Sequence, residues 1–438
     1  MSDGRALRKQ VPRAAHAVWA PPAGRDALAI LRARDELYDP ELLPIRYGRM
    51  LASPFAFYRG AAAVMAADLS ESAATGLRVQ ACGDCDVKNF GGFATPERNV
   101  VFDINDFDET LPGPWEWDLK RLAASFVLAA RENGLPEEDA LETASSCVLA
   151  YRRGVRGFAK QAPLDVWYAR FDESDFLKLL PQEPRARAEE RAERAAAQRG
   201  SEFDYPRLAE IVGGEPRIRD DPPLIFHPEK AQAPAFESMV REVLATYRHT
   251  LEDDRRVLFD RYRCVDAAVK VVGIGSVGTR CWIALMMSEN EGPLFLQFKQ
   301  ALASVMEPYA GESRYPNHGQ RVVNGQRLVQ AASDIFLGWA KGPAGDFYAR
   351  QLRDAKVSPR IETFDAPMLL AFAQACGWNL ARAHAKTGDA AAIGGYLGKG
   401  DAFDRAIAQF ARAYADQTQS DYERLREAVE AGTIVATP

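Results

Sequence analysis

The chain has 438 residues, 47% hydrophobic and 26% charged, which is the composition of a globular protein and excludes disordered or collagen-like chains. At about 150 residues per domain, this length admits two or three domains. Lys plus Arg number 55 against 61 Asp plus Glu, a net charge of −6 at pH 7, which argues against general nucleic-acid binding because that needs a basic field.

Residues 1–44 are mixed in character and Pro21-Pro22 interrupts any regular element, so this stretch reads as an arm. From Arg46 to Leu69 small and apolar residues recur at helical spacing with a break at Ser53-Pro54, which predicts two helices joined by a turn. Leu77, Val79 and Ala81 alternate as in a short strand, and Asn99 to Ile104 is a second strand candidate. Trp117 to Arg131 predicts a helix with Leu122, Phe126 and Ala129 on one face and Asp118 as a candidate N-terminal cap. Another helix follows over 137–153. Residues 184–199 are nearly all Arg, Ala, Glu and Gln, with charges of alternating sign and no apolar stripe, and read as a solvated helix or tether. A helix over about 235–256, with Pro234 suited to its first turn, precedes a change of texture. Residues 267–272, 279–286 and 294–299 are short β-branched or aromatic runs divided by Gly- and Pro-containing turns, the pattern of an antiparallel sheet. A further strand is expected over 347–352, and from Ala366 onward the chain reads as helical.

No run reaches the ~18 consecutive apolar residues that cross a bilayer; the longest uncharged stretch, 366–381, contains Gln374 and Asn379. The N-terminus has no continuous apolar core of a secretory signal. The expectation is a cytoplasmic protein without a membrane partner, whose six cysteines are free thiols. Lysine is scarce, 12 against 43 arginines, so a lysine in a special place carries weight.

Three constellations could carry chemistry. Gly273, Gly275 and Gly278, with Ser276 between, form a GxGxxG. A dinucleotide-binding fold would start a helix at the last glycine, whereas Gly278 leads into the strand-like TRCWIALM. A glycine loop between antiparallel strands is instead how kinases cover ATP phosphates with backbone N–H groups; a ligand-free glycine hairpin is the plain alternative. Lys299 ends the third strand of the same sheet, where an ammonium can bridge the α- and β-phosphates, or simply snorkel to solvent. Upstream, Asp84 and Asn89 lie five apart after a short strand, and a second strand delivers Asp106 and Asp108. One carboxylate to orient the attacking hydroxyl, with Asn and Asp to hold magnesium, are the parts of a phosphoryl-transfer site, although Asp and Asn also serve as turn formers. The Cys82-x-x-Cys85 pair has no second pair or paired histidine nearby in sequence to close a zinc site, and His384 reads as a packed or capping residue.

These segments together, SPFAFYRG (53–60), CGDCDVKNFGGF (82–93), VFDINDFDETLPGPWEWDLKRLAAS (101–125), VVGIGSVGTRCW (271–282), LQFKQALASV (296–305), RVVNGQRLVQAASDIFLGW (321–339), YARQLRDAK (348–356) and LARAHAKTGD (380–389), resemble the bacterial family called domain of unknown function 2252. The resemblance covers about residues 46–421 and implies kinship with the protein-kinase-like and aminoglycoside-phosphotransferase-like superfamily. It implies an α+β fold of two lobes: a small antiparallel sheet lobe and a larger helical lobe. Asp84 and Asn89 look like the phosphotransferase catalytic loop and Asp106 like its metal-binding Asp. Because the glycine loop and lysine follow the catalytic loop instead of preceding it, the chain looks circularly permuted, as closely spaced termini allow. The expected parts are an arm (1–45), the catalytic-loop part of the helical lobe (46–170), a charged linker with helices (171–265), the sheet lobe (266–355) and the C-terminal helical part (356–438). The family pattern has His where this chain has Asp86, so a carboxylate there braces the loop differently or adds a metal ligand. Glu307 is a candidate acidic partner for Lys299.

The activity expected is ATP- and magnesium-dependent phosphoryl transfer to a hydroxyl of a small molecule or protein. Gly273, Gly275, Ser276, Gly278 and Lys299 would hold the nucleotide, Asn89, Asp106 and Asp108 would hold Mg2+, and Asp84 would accept the hydroxyl proton. A nucleotide-binding regulator without transfer activity and an AMP transferase are the other readings of the same parts.

Overall fold

The computed structural model describes residues 2–180, 185–186, 201–271, 273, 277–352 and 358–437. Gly275, Ser276 and nearly all of the charged run 184–199 lie outside the described residues. After an N-terminal arm with helices at Ser2–Gln10 and Ala27–Arg32 come α1 (Leu43–Met50), α2 (Pro54–Gly60) and α3 (Ala62–Ser70). Four short strands follow, β1 (Arg78–Ala81), β2 (Phe90–Ala94), β3 (Val100–Ile104) and β4 (Leu111–Pro114), then the long helices α4 (Trp115–Glu132) and α5 (Glu137–Phe158). The hairpin β5 (Ala209–Val212) and β6 (Glu215–Ile218) leads to β7 (Ile225–Phe226), α6 (Ala233–Thr250), β8 (Tyr262–Lys270), β9 (Cys281–Ser288) and β10 (Pro293–Ala301). The chain continues through α7 (His318–Val329), β11 (Gly338–Gly342) and β12 (Gly345–Gln351), and ends in α8 (Ala366–Thr387), α9 (Ala390–Leu397) and α10 (Ala402–Glu430).

Strands β7 to β12 form one six-stranded antiparallel sheet, ordered β11-β12-β10-β9-β8-β7. Side chains alternate across a strand, and here both faces are used. Trp282, Met286, Leu296 and Phe298 pack against Val240, Val243 and Tyr247 of α6, with the Trp282 and Phe298 rings stacked at 4.1 Å. Ile283, Leu285 and Phe295 point to the opposite face and join Leu208, Ile218 and Ile225. Gln297 and Lys299 share that second face, beyond the apolar cover, and look into the helical part. The strands expected over 267–299 and 347–352 all lie in this sheet, while those expected at 77–81 and 99–104 form two-stranded pairs with β4 and β2; β7 and β11 join the large sheet without having been legible, the first being two residues long and the second glycine-bounded.

The helical part is built around α4, whose residues 115–130 are all buried. A helix covered on every side normally reads as apolar all round, but α4 carries Glu116, Asp118, Lys120 and Arg121 inside. Each has a partner: Glu116 accepts from the Thr75 amide and hydroxyl, Lys120 donates to Ser72 Oγ, and Asp118 and Arg121 reach the segment 82–84. The expectation that Asp118 caps the helix is corrected. The helix begins after Pro114 with no side-chain cap, so Asp118 sits inside the first turn and its carboxylate serves another segment. The break at Ser53-Pro54 is present, with Ser53 Oγ capping α2 by accepting the Ala56 N–H at 3.0 Å, and a further break at Ala61 makes three helices where two were expected. The arm is packed on the body: Arg8 and Arg13 donate to the carbonyls of Tyr396 and Leu397, and Arg25 bridges Asp68 and Asp421. Among the described residues no helix is long and apolar enough to cross a membrane.

Candidate active site

A cleft of about 590 Å³ opens between the sheet and the helical part, within the size range of small-ligand sites. Asp84, Asn89, Asp106, Gly273 and Lys299 all line it. Segments almost 190 residues apart in sequence therefore face one space.

The β2–β3 hairpin explains how the upstream residues meet. Its register pairs Phe90 with Ile104, which brings the end of the 84–89 loop beside the start of the 105–110 turn, and the Asn105 N–H donates to the Asn89 carbonyl at 3.0 Å. Asn89 Nδ2 donates back across its own loop to the Asp84 carbonyl at 2.7 Å. The loop is then fixed from α4. Asp118 accepts the N–H groups of Cys82 and Gly83 at 2.7 and 3.0 Å, and the same carboxylate contacts His384 Nε2 at 3.2 Å. His384 is fully buried and its Nδ1 meets the Tyr151 hydroxyl, so it is a packed residue. Arg121 Nε donates to Asp84 Oδ1 at 2.7 Å.

Asp84 is a carboxylate held between opposing influences. Burial pushes its pKa up, Arg121 pulls it down, and the Asp86 and Asp106 carboxylates push it up again, leaving it raised to about 7. Asp86 does not line the cleft. It is buried, with Oδ1 accepting the Lys88 N–H at 2.7 Å and Oδ2 3.4 Å from Arg59 Nε. Of the two roles open to a carboxylate at this position, it fills the bracing one, capping the short turn 87–89. Cys82 and Cys85 are buried thiols with raised pKa, Cys82 chiefly through its hydrogen bond to Cys85 and Cys85, pushed up to about 12, chiefly by burial. They are protonated core groups at neutral pH.

Lys299 is 4% exposed, and its ammonium pairs with Asp108 Oδ2. Burial works against its charge, but Asp108, Tyr348 and Asp106 outweigh it and raise the pKa. The acidic partner is therefore Asp108, whose other oxygen accepts the Tyr348 hydroxyl at 2.8 Å. Glu307 is not: the chain turns away after Ala301, leaving Glu307 Oε1 4.0 Å from Arg321 Nε and 3.8 Å from His318 Nδ1. Asp108, expected among the metal ligands, has both oxygens engaged and does not line the cleft.

Gly273 lines the cleft, but Gly278 does not. Gly278 has φ +108° and a Cβ there would come within 2.8 Å of the Tyr38 ring, so glycine is needed where the arm crosses the strand connection. The Gly278 carbonyl accepts the Asp39 N–H at 2.8 Å.

Arg121, Asp118, Tyr348 and Arg350 were not legible as site residues. The last two could have been found by period-two reasoning: β10–β12 register pairs Lys299 with Tyr348 and Gln297 with Arg350, which puts all four on one face. Among the described residues, six cations line the cleft, Arg49, Arg59, Lys88, Lys270, Lys299 and Arg350, against the carboxylates Asp84, Asp106 and Asp334. In a chain of net charge −6, this is a local positive field that suits a polyanion.

A family model described as an uncharacterized protein conserved in bacteria (DUF2252) matches residues 36–428. No curated protein and no solved structure matches the chain.

Proposed function

The chain belongs to the DUF2252 family, and from the geometry of its cleft we propose that it is an ATP- and magnesium-dependent phosphotransferase with a circularly permuted, two-lobed kinase-like fold. The observation that carries this reading is the convergence of Asp84, Asn89 and Asp106 from the helical part with Gly273 and Lys299 from the sheet on one cation-rich cleft. Asn89 and Asp106 offer the few oxygen ligands that a hard, water-retaining cation such as Mg2+ takes from protein. Mg2+ would supply charge neutralisation at the transferred phosphoryl group. Lys299, oriented by Asp108 and Tyr348, would pair with the nucleotide phosphates, and Asp108 passes from the metal set to this role. Asp84 would receive the proton of the acceptor hydroxyl, its raised pKa suiting proton exchange near neutral pH. Arg121 holds that carboxylate in place and offsets its charge, so that most of the rate gain is positioning and electrostatics.

The test is a nucleotide assay of the whole protein with ATP labelled at either the γ or the α position. Asp106→Ala is expected to abolish magnesium-dependent turnover while leaving thermal unfolding cooperative. Transfer of γ label supports the proposal, and transfer of α label would make the protein an AMP transferase. Binding without any transfer would make it a nucleotide-dependent regulator, and failure of the wild type to bind or turn over nucleotide removes the reading altogether.

A further inference from the structure

Resting on the phosphotransferase reading, we propose that Arg321 is a positioning residue for magnesium: it fixes the turn 106–110, and with it Asp106, against the strand that carries Lys299.

Arg321 lies on α7 and is 1% exposed. It does not line the cleft, so it touches no ligand there. Its guanidinium is spent on main-chain carbonyls from two distant segments: Nη1 donates to Thr110 O at 2.7 Å, while Nη2 donates to Asp108 O at 2.8 Å and to Leu302 O at 2.7 Å. Thr110 and Asp108 belong to the turn after β3, and Leu302 directly follows β10. One side chain thus ties together the backbones that present Asp108 and Lys299 to each other.

Placing a guanidinium so deep without a close carboxylate is costly. Burial lowers its pKa against the opposing pull of Glu109, Glu307 and Asp108, and Glu307 Oε1 stays at 4.0 Å from Nε. Carbonyl bonding of this kind specifies position more than it neutralises charge, since the three acceptors hold the planar fork in a single orientation. The turn itself is gripped from other sides: Ser304 Oγ donates to Glu109 O at 2.7 Å, the Val305 N–H donates to Glu109 Oε2 at 2.6 Å, and Thr110 Oγ1 donates to Ala81 O at 2.6 Å. One helical turn beyond Arg321, Gly325 lets α7 approach so closely that a Cβ there would run into the Thr110 side chain. Helix α7 therefore sets the height of the turn, by a clamp at Arg321 and by contact at Gly325.

The consequence is specific. Asp106 and Asp108 are two residues apart on this turn, one proposed for Mg2+ and the other paired with Lys299, so loosening the turn should weaken the metal site more than nucleotide binding without metal. The experiment measures binding of the imido analogue of ATP to the full chain, with and without Mg2+, in wild type, Arg321→Met, Arg321→Lys and Gly325→Ala. Arg321→Met and Gly325→Ala are each expected to raise the Mg2+ concentration for half-maximal effect about tenfold or more, with metal-free nucleotide affinity within about twofold of wild type. Arg321→Lys, which keeps the charge and one donor, should fall between and carries the test if Arg321→Met does not fold. Unchanged Mg2+ dependence in the folded variants overturns the proposal. A wild type that binds no nucleotide instead sinks the phosphotransferase reading, so the two failures are distinct.

Discussion

A buried lysine needs a counter-charge, and the identity of that counter-charge decides what Lys299 can do. Its partner comes from the turn that also carries Asp106, so Lys299, proposed to pair with phosphate, and Asp106, proposed as a magnesium ligand, are mechanically linked through two residues of backbone. Lys299→Met should therefore have two effects. It takes the ammonium away from the Asp108 carboxylate, a loss of about 3 kcal/mol of folding stability in the range for broken buried pairs, measurable by denaturant unfolding. It should also weaken nucleotide binding, whereas Asp108→Asn should disturb Lys299 orientation and lower turnover more than affinity. Asp84→Asn is expected to abolish transfer with nucleotide binding retained, read by calorimetry beside the labelled-ATP assay. The sequence pointed to Asp84, Asn89, Asp106 and Lys299 because each belongs to a compact local pattern. Arg121, Tyr348 and Arg350 belong to no such pattern, because their role depends on which neighbour they face.

At the scale of elements, α4 acts as the brace of the loop 82–89. Asp118 takes two N–H groups from the loop root, and Arg121 takes the Asp84 carboxylate one turn later, consistent with i, i+3 residues sharing a helix face. Asp118→Ala leaves the buried Cys82 N–H and the partly buried Gly83 N–H without this partner, at about 1–3 kcal/mol for the buried one. At the sheet edge, His227 links β7 to its neighbours, with Nδ1 2.8 Å from Asp220 and Nε2 3.1 Å from Asp266. Hydrogen bonding to Asp266, against burial, and to Asp220 raises its pKa above the ordinary value. The protonated form is thus favoured in the folded state. Its stabilising contribution is fully present below about pH 6.5 and is lost as pH rises through the raised value. Amide protection factors at Ile225 and Val271, taken relative to intrinsic exchange, should fall across that rise, and His227→Gln should remove that fall.

Across the whole molecule, ion pairs fasten parts that are remote in sequence. Arg382 of α8 holds Asp103 of β3 at 2.7 Å, both fully buried, and Arg25 of the arm holds Asp68 and Asp421. Removing the cation strands a buried carboxylate, so Arg382→Met and Arg25→Ala should each lower stability by about 3–5 kcal/mol in urea unfolding. Arg25→Ala should in addition release the arm, seen as faster proteolysis near residues 18–26.

The sequence by itself determined most of the elements and singled out the candidate site residues: helix and strand periodicities are local, and so are the spacings of Asp84 to Asn89 and Asp106 to Asp108 and the apolar run before Lys299. It also determined that the sheet is antiparallel, because short runs joined by tight turns permit little else. Tertiary structure alone decided which groups meet. Asp118 became a loop brace instead of a cap, Asp108 became the partner of Lys299 in place of Glu307, and Gly278 served the arm while Gly273 faced the cleft. Each of these turns on a contact between segments at least 35 residues apart or on a chain reversal of a few, and a side chain's partner is set by that geometry, which no local pattern of residues encodes.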